Sequence, residues 1–151
     1  MEIAKRQKQL IEDFNLFDNW GDKYSYLISL GKSLSEFPQE KKDHAHQVKG
    51  CQSQVWFDVV FADGKLYFQG ISDSAIVSGL IGLLLKIYSD ATPSDIVAST
   101  PDFMESIGLS KHLSVTRNNG LYMMVNYIYN TAKQYANSKA WYSGLPPTTK
   151  G

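Results

Sequence analysis

One cysteine and three histidines are the residues of this chain with the most chemistry to offer. Cys51 stands in Gly50-Cys51-Gln52-Ser53, between a polar, charged stretch and the first clearly β-prone run. Only the thiolate is an effective nucleophile, and an unperturbed thiol is mostly protonated near neutral pH. A glycine on one side and small or polar residues on the other allow backbone N–H groups to turn toward the sulfur. The plainer reading is that Cys51 is a small buried hydrophobe. His44 and His46 form a His-Ala-His pair. On an extended segment they would share a face and could join Cys51 around a metal, but such a pair is more often a solvated connector. A Cys–His dyad has three candidate bases, His44, His46 and His112, and spacing selects none of them. A single cysteine cannot supply a Cys-rich zinc site or an iron–sulfur cluster.

Two charged residues add to this set. If Ser114 caps the last helix, Arg117 falls in its first turn, where the macrodipole disfavours a cation. Either a functional role or an ordinary salt bridge would account for it. Asp73 precedes a strongly apolar run, and an acid beside a helix N-terminus is favourable capping. Trp20 and Trp56 read as packing or hinge residues.

The elements that must position these groups follow from periodicity. Ile3, Leu10, Ile11 and Phe14 among charged residues predict an amphipathic helix over 3–14. Trp20-Gly21 interrupts the pattern, and a second helix is expected over 23–34 with Asp22 as its cap. Phe37-Pro38 ends it. Val55, Phe57, Val59 and Phe61 then alternate, and Asp63-Gly64 joins that strand to a second over 65–71. The segment 46–49 is expected as a third, short strand leading to Cys51. A helix over 74–88 is apolar almost all round and should be buried, with Gly79 and Gly82 permitting close approach by a neighbour. Thr92-Pro93-Ser94-Asp95 opens a helix, another runs over 102–107 to Gly108, and a long one carries Leu121, Val125, Ile128, Ala132 and Tyr135. The expected class is α+β, a small three-stranded antiparallel sheet covered by helices. One domain over 1–137 is expected, with 138–151 as a flexible C-terminal tail.

Composition limits the partners. Fifteen Lys and Arg balance fifteen Asp and Glu, whereas a general nucleic-acid or anionic-membrane binder carries a basic excess. The longest apolar stretch, 75–88, is too short to span a bilayer and contains Lys86. With a charged N-terminal segment and one cysteine, the sequence points to a reducing cytoplasm.

Several segments together resemble the SufE family of iron–sulfur assembly proteins. Val48-Lys49-Gly50-Cys51-Gln52-Ser53-Gln54-Val55-Trp56 is similar to the signature around that family's sulfur-accepting cysteine. Upstream, the stretch from Trp20 to Lys32, with its Tyr-x-x-Leu-Ile-x-Leu-Gly-Lys pattern, is similar as well. Downstream, the resemblance continues through the run from Ser72 to Leu80, then 92–97, then 109–114, and then Arg117, Asn119, Gly120 and Leu121. The likeness covers nearly everything to about Asn137. It departs at the Asp-Gly hairpin, where family members vary in length, and in the tail, which has no counterpart.

The resemblance implies an IscU-like α+β fold without the scaffold's cluster-binding cysteines. It implies a sulfur acceptor and activator rather than an enzyme. Cys51 would take persulfide sulfur from a SufS-type cysteine desulfurase and pass it to a SufB-containing scaffold complex. Gly50, Gln52, Ser53, Asp73 and Arg117 would support the cysteine or line the docking rim. No cofactor and no metal are expected on this chain, since pyridoxal phosphate resides on the desulfurase. The competing reading is a stand-alone peroxidase or hydrolase using Cys51 with a histidine.

Overall fold

The computed structural model describes residues 2–51 and 53–141, with side chains as far as Asn137. Helix α1 (Glu2–Asn15) turns Ile3, Leu10 and Phe14 into the core, as its spacing requires. Helix α2 (Trp20–Lys32) begins three residues before its expected start. Asn19 is the cap: its side-chain oxygen accepts from the Asp22 N–H at 2.9 Å, and its amide donates to the Asp22 carboxylate at 3.2 Å. Asp22 therefore sits inside the first turn, and Trp20-Gly21 opens the helix rather than breaking the chain.

The expected hairpin of β1 (Val55–Ala62) and β2 (Lys65–Ser72) forms, with Ala62 opposite Lys65 and Val55 opposite Ser72. Its turn has Asp63 at φ 54° and Gly64 at φ 77°, the two positive angles of a type I′ turn. The sheet has two strands among the described residues, so the expected third strand is corrected. The 46–49 segment pairs with β1 as an isolated bridge, Gln47 to Trp56. The Val48 N–H donates to the Val55 carbonyl at 2.9 Å, and the Phe57 N–H donates to the His46 carbonyl at 2.8 Å. The ladder stops there because Gly50, at φ 87°, turns the chain away before a second pair can form.

Helix α3 (Ala75–Tyr88) is the centre of the molecule, and every residue from Val77 to Leu84 is buried. Each fully buried Leu or Ile contributes about 1.5–3 kcal/mol. Ser74 caps it by accepting from the Val77 N–H at 3.3 Å. The neighbour that its glycines admit is α2. A Cβ on Gly79 would lie 2.5 Å from the Leu27 carbonyl oxygen, and one on Gly82 would lie 2.5 Å from that of Leu30. Arg6 closes the other end of α3, donating to the carbonyls of Ile87, Ser89 and Asp90. These groups are the open carbonyls of a helix terminus, for which a cation is the natural partner.

The remaining elements are helical. Helix α4 (Pro93–Ala98) has the Thr92 hydroxyl accepting from the Asp95 N–H. Helix α5 (Phe103–Ile107) ends at Gly108 with φ 85°, followed by α6 (Leu109–His112). Buried Gln7 ties α1 to this region, donating to the Thr100 carbonyl and accepting from the Phe103 N–H, both at 2.9 Å. Helix α7 (Val115–Trp141) buries Leu121, Met124, Val125, Ile128, Ala132 and Tyr135. It runs four residues past Asn137 into the segment expected as a tail, and 142–151 lie outside the described residues. No helix among the described residues is long and apolar enough to cross a membrane.

Candidate functional site

The site is built where the segment leaving the 47–56 bridge meets the first turns of α7. Ser114 caps α7, its hydroxyl accepting from the Arg117 N–H at 3.2 Å. From there Arg117, Gly120, Leu121 and Met124 fall at helical spacing on one face. With Ser114, Thr116, Val77, Leu80, Ser53 and Cys51 they line a cavity of about 330 Å³. Cys51 is half-buried in its wall, and its S–H faces the Gly120 carbonyl at 3.8 Å. Burial pushes the Cys51 thiol pKa up, so the resting site favours the protonated, unreactive form.

Arg117 is exposed at the rim of this cavity and makes no ion pair among the described residues. The salt-bridge account of a cation in the first turn of α7 therefore has no partner among them. Asp73 plays a different part from capping. Ser74 is the cap of α3, while the Asp73 carboxylate accepts from the Gln54 N–H at 3.1 Å and from the Ser72 hydroxyl at 3.4 Å. The Asp73 N–H in turn donates to the Gln54 carbonyl at 3.4 Å. Asp73 thus anchors the chain three residues after Cys51. Ser53 lines the cavity, and Gln52 lies outside the described residues.

Gly50 is held from the α7 side. Its left-handed φ of 87° favours glycine, and the space a Cβ would fill is occupied by Met123, whose Cε lies 2.7 Å from that position. Sequence reasoning missed Met123 and gave Gly120 no role. The signal for Gly120 was present, since it stands one helical turn after Arg117. Nothing in the spacing marks Met123.

None of the three histidines lines the cavity. His46 bonds the Asp43 carboxylate through Nδ1 at 2.8 Å and approaches Asp58 at 3.8 Å, on the outer edge of β1. His44 is exposed on the connector. His112 stacks on Trp20 with ring centroids 3.8 Å apart. No group of three or more Cys, His, Asp and Glu residues among those described could hold a metal ion.

Comparison with known proteins adds three likenesses. The chain is 41% identical to an uncharacterized SufE-like protein of Rhizobium meliloti (strain 1021), over 83% of this chain and 93% of the relative. A second uncharacterized SufE-like protein, from Rhizobium etli, is also 41% identical and is covered over 88% of its length. The fold is similar to the solution structure of a hypothetical protein from Thermus thermophilus, with a TM-score of 0.74 at 18% identity. That likeness covers 88% of this chain and 97% of the other. The model of the SufE domain, described as an Fe-S metabolism associated domain, matches residues 8–132. That span contains Cys51 and every group that lines its cavity, and the chain belongs to the SufE family.

Proposed function

We propose that this protein is a sulfur carrier of iron–sulfur metabolism that accepts a persulfide on Cys51 and activates its donor. The donor is a SufS-type cysteine desulfurase, which holds the pyridoxal phosphate, and the recipient is a SufB-containing scaffold complex. The observation that carries the reading is a lone cysteine, half-sheltered in a cavity whose charged lining residue among those described is Arg117, within a family of Fe–S metabolism.

The chemistry is thiol–disulfide exchange in type. The Cys51 thiolate attacks the terminal sulfur of the donor's persulfide, a new S–S bond forms on Cys51, and the donor's own S–S bond breaks. The donor cysteine leaves as its thiolate, which takes up the proton Cys51 gave up. Such a step depends on thiolate fraction, leaving group and access, and needs no histidine base. The raised pKa of Cys51 supports a resting carrier that reacts little until docking moves the loop or brings a cation to it. The acceptor function is assigned to residues 1–137, acting in the cytoplasm.

The test is intact-mass analysis after incubation with desulfurase, pyridoxal phosphate and cysteine. A gain of one or more sulfur atoms, removed by reductant, is expected. No gain, or turnover of a peroxide or ester by the isolated chain, would favour the stand-alone cysteine enzyme. Replacing His44 and His46 together with Gln is expected to leave the mass gain unchanged.

A further inference from the structure

We propose that Met123 is a positioning residue, a clasp that holds the Cys51 loop against α7 and so sets how often the sulfur is accessible. Three observations place it. Gly50 turns at φ 87° and presents a bare Cα to α7. The hollow left by its missing Cβ is filled by Met123, whose Cε, Cγ and Sδ lie 2.7, 3.1 and 3.4 Å from the Cβ position. Met123 and Gly120 are one helical turn apart, so adjacent turns of α7 touch adjacent loop residues: Met123 meets Gly50, and the Gly120 carbonyl meets the Cys51 sulfur.

Core packing does not account for Met123. Its neighbour Met124 is fully buried, whereas Met123 is 37% exposed. A methionine suits a releasable contact, because its unbranched thioether fills an irregular hollow and leaves it with few rotamer penalties. On the far side the loop is tied more firmly, by the Asp73 carboxylate to the Gln54 N–H. Among the described residues the loop is thus held by Asp73 after the cysteine and by an apolar clasp before it. Release of the clasp frees Gly50 and Cys51 while the hairpin stays in register. The functional consequence rests on the sulfur-carrier reading; the geometry does not.

The test measures the rate at which iodoacetamide alkylates Cys51 in the full chain, without any desulfurase. Met123→Ala removes all three atoms that fill the hollow, and alanine keeps the helix. Alkylation is expected to quicken about fivefold, the loss of a few dispersion contacts from a local opening equilibrium. Met123→Leu, which keeps the bulk, should return the rate to within about twofold of wild type. The melting temperature of both should stay within about 3 °C of wild type. An unchanged rate in Met123→Ala overturns the proposal, and so does equal acceleration in the Ala and Leu variants. Because the probe is iodoacetamide, failure here leaves sulfur transfer standing, and failure of the mass test leaves the clasp standing.

Discussion

At the α2–α3 seam and at the Cys51 loop glycine admits a neighbour, and the two places differ in what is admitted. Between α2 and α3, Gly79 and Gly82 receive backbone: the carbonyl oxygens of Leu27 and Leu30 would lie 2.5 Å from an added Cβ. At the Cys51 loop, Gly50 receives the end of a flexible side chain, the Met123 methyl at 2.7 Å. Backbone carbonyls fixed in a helix cannot retreat, whereas a methionine tip can adopt another rotamer. The first arrangement gives a rigid core without chemistry. The second holds a reactive atom in place with contacts weak enough to break. Stability and reactivity are thus separated in space, and substitutions should affect one without the other.

The sharpest break is Cys51→Ser. It should abolish desulfurase-dependent mass gain while the melting temperature barely moves, since Ser is close in size and no disulfide is lost. A variant that still raises desulfurase turnover to the wild-type level would show that docking alone drives activation. The converse is Gly79→Ala. Gain in helix propensity recovers about 1 kcal/mol, but the clash with the Leu27 carbonyl should leave a net loss of about 2 kcal/mol. For a chain of this size that lowers the melting temperature by roughly 4–8 °C, readable by calorimetry. Alkylation of Cys51 below the melt should be unchanged.

Arg117→Ala sharpens the comparison on the reactive side. Loss of one charge-assisted contact to a partner should weaken desulfurase activation by about tenfold, or 1.4 kcal/mol, with little change in melting. Titration of desulfurase with each variant, alongside a melt, checks this. A sharp fall in melting temperature with activation intact would make Arg117 a structural residue. The smallest effect is electrostatic. Because burial raises the Cys51 pKa, the pH midpoint of alkylation should lie above that of the same thiol in the urea-unfolded chain. The sign for stability follows: the contribution is whole below the unfolded thiol's pKa and is lost as pH climbs through the folded one. Wild type should therefore lose ground to Cys51→Ser only on the alkaline side, in melts taken across that range.

Much of the site was legible because it is local. The Gly50-Cys51-Gln52-Ser53 signature, the Ser114 cap and the position of Arg117 in the first turn are matters of neighbours along the chain. The contact of Asp73 was not legible, because its partner, the Gln54 N–H, lies nineteen positions away and neither capping nor a rim position foretells it. The 46–49 segment was expected as a strand, but a ladder needs consecutive pairs, and the turn at Gly50 leaves the isolated Gln47 bridge. Asp22 lost its capping role to Asn19, since both residue types cap well and only the path of the chain chooses between them.

What the sequence determined by itself is what short-range sterics and periodicity control. The type I′ hairpin at Asp63-Gly64, the buried α3 with its glycine stripe, the helix stop at Gly108 and the face of α7 all belong to this class. What only the tertiary structure decided is which surfaces meet. The glycines of α3 found the carbonyls of α2, Asp73 took hold of the outgoing arm of the cysteine loop, and Met123 of α7 filled the hollow at Gly50. Those contacts join residues far apart in the chain. Their energies come from burial and close packing, which exist only once the elements have docked.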